Sequence, residues 1–441
     1  MTREPQPAGQ MKTEDMIILG GGLAGLAASA FSGAPIYEAG ETPGGVACSD
    51  EADGFVFDRG IHILQTTNPF ILNLLGKLGV EFERHRRNAF IYSHKTYTPY
   101  PFQINTAGLP FGLRARCVRD FCRRDVTARP ANYEQWIYRN LGKGFGDTFL
   151  IPYSEKFWTV APRLMTFEWA GSRVPQPSLS QVVRGALWSR NTPIGSNAEF
   201  LYPSGPAGFG AIAQALAGRC GTIHTGHRAC LLNAGKRQVW FGNGVGVRYD
   251  TLINTIPLPE LIGICEDAPE YVRAAAAKLR ANSILVVNLG IDRPNLSDRH
   301  WVHFPEKDIS FFRISFPNNF STAVVPQGTS SVSAEVAYSE SCPIDTTTIV
   351  DHVIEDLIRV GVLSRRERIV IKTTCNISRA YCIYDWQRKE GARPVLAWLK
   401  SVGIVSGGRY GLWAYFWSDQ AILSGKKAAE RVLARSMLSA G

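Results

Sequence analysis

Gly20, Gly22 and Gly25 stand in the order Gly-x-Gly-x-x-Gly directly after the apolar run Met16-Ile17-Ile18-Leu19. Glu38 closes a second short apolar stretch, Ala34-Pro35-Ile36-Tyr37. The chemistry open to this set is the grip of a dinucleotide. Gly20 permits a tight turn, Gly22 lets a pyrophosphate approach the backbone, and Gly25 lets a helix pack close to the preceding strand. Unpaired N–H groups at the helix start attract phosphate charge, and Glu38 is placed to accept the ribose hydroxyls. Glycine-rich turns are common by themselves. Flanked by two strands and followed by an acid, this one predicts strand, turn, helix, strand and a dinucleotide.

The elements that hold such a site must come from several parts of the chain. At 441 residues it exceeds what one hydrophobic core supports, so two intimately joined domains are expected. Hydrophobic residues at 45% and charged ones at 20% fit a globular protein and exclude a disordered one. Thr222–His224, Ala229–Leu231, Val239–Phe241 and Leu252–Thr255 alternate and turn like a returning sheet. Phe70–Leu75 and Tyr133–Leu141 carry helical patterns, and Ile284–Leu289 reads as a strand. No internal repeat is visible. Met16–Gly33 is mostly apolar, but its glycines fit a buried strand and helix, so no transmembrane segment is expected.

After Glu38 the chain reads Ala39-Gly40-Glu41-Thr42-Pro43-Gly44-Gly45, and later Asp58-Arg59-Gly60-Ile61-His62. These stretches resemble the glutathione-reductase-like FAD family that includes amine oxidases, protoporphyrinogen oxidase and UDP-galactopyranose mutase. There a Gly-Gly pair follows the ribose-binding acid, and a D-x-G-x-H stretch leads toward the isoalloxazine. The resemblance implies FAD rather than NAD. Its fold is α/β: a glutathione-reductase-like FAD-binding Rossmann domain with a helical insertion and a mixed-sheet substrate domain. Cofactor contacts are implied at Gly20, Gly22, Leu23, Ala24, Gly25, Glu38, Ala39, Gly45 and His62. Ala229 would face the adenine, and Gly408, Asp419, Gln420 and Ala421 would close the site. The FAD domain would be discontinuous, from residues 15–65, 217–283 and 403–441, after a flexible tail 1–14. Residues 66–216 would form a helical and substrate-binding insertion and 284–402 the mixed-sheet substrate domain.

Three further segments resemble the mutase branch. Pro152-Tyr153-Ser154-Glu155-Lys156-Phe157-Trp158, then Ser172-Arg173-Val174-Pro175, look like that branch's Tyr, Lys, Trp and Arg-before-Pro pattern. There the Trp stacks on uracil and the Arg neutralises the pyrophosphate, roles that fall here to Trp158 and Arg173. Ser310–Ile314 is similar to the stretch whose Arg lies near the flavin, matching Arg313. Gly407–Tyr415 resembles the "G-R-x-G-x-x-x-Y" element, so Arg409 would reach the diphosphate and Tyr415 a phosphate oxygen. His62 and Arg313 would set flavin orientation and electronics. One departure stands out: Gln65 falls where the mutases carry a second His. Tyr100–Asn105 and Tyr202–Phe209 are equally similar to protoporphyrinogen-oxidase-like proteins.

The resemblance therefore implies two enzymatic readings. One is a pyranose–furanose mutase acting on a nucleotide-linked sugar, with N5 of reduced flavin as nucleophile and an electron donor such as NAD(P)H. The other is an FAD-dependent oxidoreductase of the amine oxidase type. Lack of the amine oxidases' C-terminal cysteine linkage argues for non-covalent FAD, since Cys375 and Cys382 precede the closing element. A non-catalytic FAD-bearing escort is a third reading, disfavoured by the polar residues expected in the cleft.

The net charge of +10 concerns partners rather than fold. Basic residues cluster at Arg84-His85-Arg86-Arg87 and from Arg114 to Arg124, which suits a solvated helix face, an anionic substrate, or a loosely attracted membrane surface or nucleic acid. No interleaving of aromatic and basic residues points to nucleic acid. The nine cysteines show no pairing or zinc pattern, so no metal and a reducing, cytoplasmic setting are expected. His224 and His227 read as loop residues.

Overall fold

Along Met11–Leu19 (β1) the side chains divide between two cores, Ile18 into one and Ile17 with Leu19 into the other. A strand covered on both faces reads as a continuous apolar run, which is why Met16–Leu19 looks like one. The computed structural model describes residues 11–171, 173–188 and 198–440, the last six as backbone only. The strand pairs in parallel with Gly246–Asn254 on one side and with Ile36–Tyr37 (β2) on the other. Between β1 and β2 runs the helix Leu23–Ser32 (α1). Ile223–His224 extends the sheet beyond β2, and Ile404–Ser406 pairs in parallel with Gly246–Asn254. Two antiparallel strands, Ala229–Asn233 and Gln238–Phe241, complete it. Parallel strands joined through α1 put the Gly20 turn at the sheet's carboxyl edge, where doubly wound folds hold ligands.

A second seven-stranded sheet carries the other half of the molecule. Its long strand Ala281–Ile291, second from one edge, shows the period of two that a sheet covered on both faces requires. Ile284 and Val286 face a core built with Phe149, Phe157 and Trp158, from the helical segments that follow residue 133. Leu285, Val287 and Leu289 face the opposite core, closed by the helix Ile349–Arg359 through Val353 and Leu357. Each such fully buried aliphatic side chain contributes about 1.5–3 kcal/mol.

The structure corrects several sequence boundaries. Residues 11–14, expected in a tail, pair with Gly246–Tyr249 as the start of β1; residues 1–10 of that tail lie outside the described residues. The 66–216 segment is not purely helical, because Ala89–Ser93 and Thr96–Pro99 form one edge of the second sheet. The helix Trp386–Ser401, expected with the mixed sheet, packs Ala392, Val395 and Leu399 into the core of the first sheet beside Ala275 and Ala276. His224 lies in a strand rather than a loop. Arg84–Arg86 lie in the strand Phe82–Arg86, not on a helix. No helix among the described residues is long and apolar enough to cross a membrane.

Candidate functional site

The glycine turn behaves as its residue types demand. Gly20 adopts φ +94°, a conformation that side chains disfavour. A Cβ on Gly25 would fall 1.9 Å from the Gly20 carbonyl oxygen, so α1 can start this close to β1 only with glycine there. Thr255, at the end of the partner strand, locks the turn by donating to the carbonyls of Leu19 (2.8 Å) and Gly20 (3.0 Å). The N-terminus of α1 at Gly22 has no side-chain cap and no acid in its first turn, and a Cβ on Gly22 would meet nothing within 4 Å. Orphan N–H groups facing open space form an anion site.

This turn opens onto a cavity of about 690 Å³ lined by Gly20, Gly22, Leu23, Ala24, Glu38, Ala39, Gly45, Ala229, Gly408 and Ala421, with Arg59, His62 and Arg409 at its inner end. Glu38 accepts from the N–H of Gly21 (2.6 Å) and of Gly40 (2.7 Å), which fixes the carboxylate at the cavity wall. Tyr37 beside it is stacked between His224 (4.7 Å) and Phe241 (4.6 Å). Gly25 lies behind the turn rather than on the wall. Gln420 is also turned away: its Oε1 accepts from the Trp417 N–H (2.9 Å), and its side chain borders a separate surface groove. The open α1 terminus, the acid and the cavity fit an extended dinucleotide.

A second cavity, of about 300 Å³, meets the first at His62, Arg59 and Arg409, which line both. Trp158, Arg173, Arg313, Tyr415 and Asp419 line it as well. Four segments distant in sequence thus supply one wall. Ser172, beside Arg173, lies outside the described residues. The Arg173 guanidinium lies over the rings of Tyr415 (3.8 Å) and Trp417 (4.5 Å), and its Nη2 donates to the Tyr415 carbonyl at 2.6 Å. Arg409 donates to the Phe416 carbonyl through Nε (3.0 Å) and Nη2 (2.5 Å), and to the Ala380 carbonyl through Nη1 (3.2 Å). Trp158 is 2% exposed and is packed edgewise against Trp169 (5.1 Å) and Tyr415 (5.5 Å).

Arg313 departs from the picture of a cation left for substrate. Strand register places it directly opposite Glu335, and the two form a buried bidentate ion pair through Nε–Oε2 and, at 2.9 Å, Nη2–Oε1. Glu335 also accepts from the Ile61 N–H at 3.2 Å. The pair therefore anchors the segment that carries His62. His62 touches the Gly60 carbonyl through Nδ1 (3.1 Å). Burial, reinforced by the charges of Arg409 and Arg313, pushes its pKa down to about 4, so the imidazole is neutral at physiological pH.

Sequence reasoning missed Glu335, Arg59, Arg87, Trp169 and Trp417. Arg59 is held by Asp50 at 2.7 Å. Asp58 accepts from Ser49 Oγ (2.6 Å), Tyr202 OH (2.8 Å) and the Phe209 N–H (3.0 Å), so it ties down the start of the His62 segment. Burial raises its pKa to about 6. A signal was present for Trp417, which follows Tyr415 in the closing element, and for Arg59, which sits inside the Asp58–His62 stretch.

Residues 35–433 match the family of flavin containing amine oxidoreductases. The chain belongs to that family and is an enzyme built around a flavin. A structure of reduced UDP-galactopyranose mutase superimposes with a TM-score of 0.91 at 28% identity, covering 95% of this chain and 94% of that one. A protein of an Exiguobacterium species, assigned by name to the protoporphyrinogen oxidases, gives 0.75 at 17% identity over 96% and 99% of the two chains. A double mutant of putrescine oxidase gives 0.67 at 14% over 96% and 100%. The last two share the fold alone.

Proposed function

We propose that the chain holds FAD non-covalently against the Gly20–Gly25 turn and, with that flavin reduced, interconverts the pyranose and furanose forms of a nucleotide-linked sugar. The observation that carries this reading is the meeting of Arg173, Arg409 and Tyr415 in a cavity that shares His62 and Arg409 with the cofactor cavity. Bound reduced flavin supplies N5 as a nucleophile toward the anomeric carbon, and the nucleoside diphosphate is the leaving group.

The residues supply position and charge. Arg173 and Arg409 hold the departing diphosphate, because planar guanidinium forks match phosphate oxygens. Their tethers to the carbonyls of Tyr415, Phe416 and Ala380 leave further N–H donors on each fork and fix its plane beforehand. The indoles of Trp158, Trp169 and Trp417 enclose the cavity and exclude water from the leaving group. Neutral His62 adds no charge that would compete with the clamp. Arg313, neutralised by Glu335, positions the His62 segment rather than holding phosphate. The electron donor is a reductant such as NAD(P)H.

A net oxidoreductase of the amine oxidase type is the second reading. It is favoured by the rings of Tyr381, Tyr410 and Tyr415 around the same cavity, which suit an apolar or cationic substrate as well. An anaerobic titration of oxidised and reduced holoenzyme with UDP-sugars, followed by flavin absorbance, separates the two. Binding confined to the reduced form, with turnover, supports the mutase. Bleaching of oxidised flavin by substrate without added reductant overturns it in favour of the oxidoreductase.

A further inference from the structure

The helices Phe111–Cys122 and Leu179–Leu187 carry apolar side chains on the side that faces water. Surface helices ordinarily turn such residues inward. In Leu179–Leu187 the inward face is already filled by Val182, Gly185 and Ala186. Leu179, Val183 and Leu187 recur every fourth residue along the open side and are between 40% and 57% exposed. Trp188, directly after this helix, is 64% exposed, and Phe111 at the start of the other is 75% exposed. Contiguous apolar surface of this kind marks a docking face.

These residues form one patch. Arg114 donates through Nη1 to the carbonyls of Ala107 (3.0 Å) and Ala186 (3.1 Å), and its guanidinium lies 5.5 Å from the Phe111 ring. A single side chain thus spans from Phe111 to the end of the Leu179–Leu187 helix. The helix is seated by backbone, since the Gly185 carbonyl accepts from the N–H groups of Thr106 (2.9 Å) and Ala107 (3.0 Å). A Cβ on Gly185 would fall 2.0 Å from the Ile104 carbonyl oxygen, so the contact is close. The border of the patch is cationic. Phe111, Ala115, Arg119 and Arg123 succeed one another every fourth residue and are all exposed. Arg184 is exposed beside Val183. The one acid of the two helices, Asp120, is held by Arg116 (3.6 Å) and Arg119 (3.0 Å). Arg123 and Arg184 form no ion pair among the described residues.

We propose that this patch docks the protein on an anionic lipid bilayer. The Leu179–Leu187 stripe, Trp188 and Phe111 enter the headgroup region, and Arg123 and Arg184 meet lipid phosphates. Burial of an apolar helix face and attraction of cations to acidic lipid reinforce each other at such a surface. Tryptophan is the side chain most at home at that boundary, with an apolar body and a polar N–H. A second copy of the chain fits the patch less well. Pairing it with itself would set arginine borders against each other on two chains that each carry +10. The contact is peripheral and needs no spanning helix, and none is present among the described residues.

The test is co-flotation of the flavin-loaded protein with vesicles of phosphatidylglycerol and phosphatidylcholine in equal parts, and with vesicles of phosphatidylcholine alone. At low salt the mixed vesicles should carry about ten-fold more protein than the neutral ones. The double variant Leu187→Ser with Trp188→Ser should lower that binding by about ten-fold, and Arg123→Gln with Arg184→Gln by a similar factor. All four side chains are exposed, and retained flavin absorbance reports that each variant is folded. Absence of wild-type protein from the mixed vesicles overturns the proposal. Flotation that survives Leu187→Ser with Trp188→Ser also overturns it, and would assign the binding to basic residues elsewhere. A dimer in sedimentation velocity that this variant dissociates, with no flotation, would give the patch to a second copy instead.

Discussion

The Arg173 guanidinium lies 3.8 Å from the Tyr415 ring centroid and also hydrogen-bonds the Tyr415 carbonyl at 2.6 Å. One residue thus fixes both the plane and the position of the cation. Replacing Arg173 by Met keeps an apolar stem over the ring but removes the fork. Hydrogen bonds to charged groups contribute about 1.5–3 kcal/mol, so Arg173→Met should weaken UDP binding to the holoenzyme by about 10- to 150-fold. The dependence of UDP binding on salt should flatten as well. An affinity for UDP unchanged by this substitution would remove Arg173 from the clamp.

Glu335 is 2% exposed and neutralises Arg313 from the adjacent strand. Removing one partner of a buried pair leaves an uncompensated charge, at about 3–5 kcal/mol. Glu335→Gln should therefore lower the thermal midpoint of the holoenzyme clearly. The double variant Arg313→Met with Glu335→Gln should recover much of the loss, because it buries no lone charge. Equal destabilisation of single and double variants would show that Glu335 acts through Ile61 alone.

The parts of the candidate site whose placement was legible in the sequence are local ones. Gly20, Gly25 and Glu38 lie within one strand–helix–strand unit, and short-range backbone geometry dictates their types. Arg409 and Tyr415 sit in a single closing element and were legible for the same reason. Glu335 was not, because Ser-Ala-Glu-Val-Ala reads as a strand with one solvated acid, and only cross-strand register reveals Arg313 opposite. Arg87 was hidden inside a basic run: Arg84 and Arg86 are exposed on the strand edge, and the chain turns Arg87 inward just after it. The helix Trp386–Ser401 was assigned to the wrong half because its docking partner, Glu270–Ala277, lies more than a hundred residues upstream.

Gly25 tests the cofactor turn independently of catalysis. In Gly25→Ala the new methyl would stand 1.9 Å from a backbone oxygen that Thr255 also holds in place. Neither the turn nor α1 can keep its position, so the N–H groups at Gly22 move away from the phosphate path. The variant should purify with at least ten-fold less bound flavin, read from the flavin-to-protein absorbance ratio after dialysis. Gly33→Ala at the far end of α1 controls for loss of helix stability, since Gly33 caps the helix at φ +75° and lies away from the cofactor cavity. Full flavin retention in Gly25→Ala would show that the turn does not hold the cofactor.

Acid should destabilise the fold over a definite window. Burial lowers the pKa of His62 and His300 to about 4 and that of His303 well below the ordinary value of 6.5. The unfolded chain therefore binds more protons than the folded one between about pH 4 and 6.5. The stability these histidines contribute is complete above that window and is lost as pH falls through it. Asp58 works in the opposite sense. Its folded pKa of about 6 lies above the ordinary 3.8, so its contribution is favourable at low pH and is lost as pH rises through about 6. At pH 5 the protons taken up by His62 and His300 on unfolding outnumber the one released at Asp58, a net uptake of about one proton among these three groups, to which His303 adds in the same sense. Stability should accordingly fall by about 1.4 kcal/mol or more per pH unit near pH 5, measured as urea midpoints from pH 7 to 4.5. Asp58→Asn should steepen that fall by removing the opposing proton. A flat profile down to pH 4.5 would mean that the three imidazoles are charged in the native state, and neutral His62 would have to be abandoned.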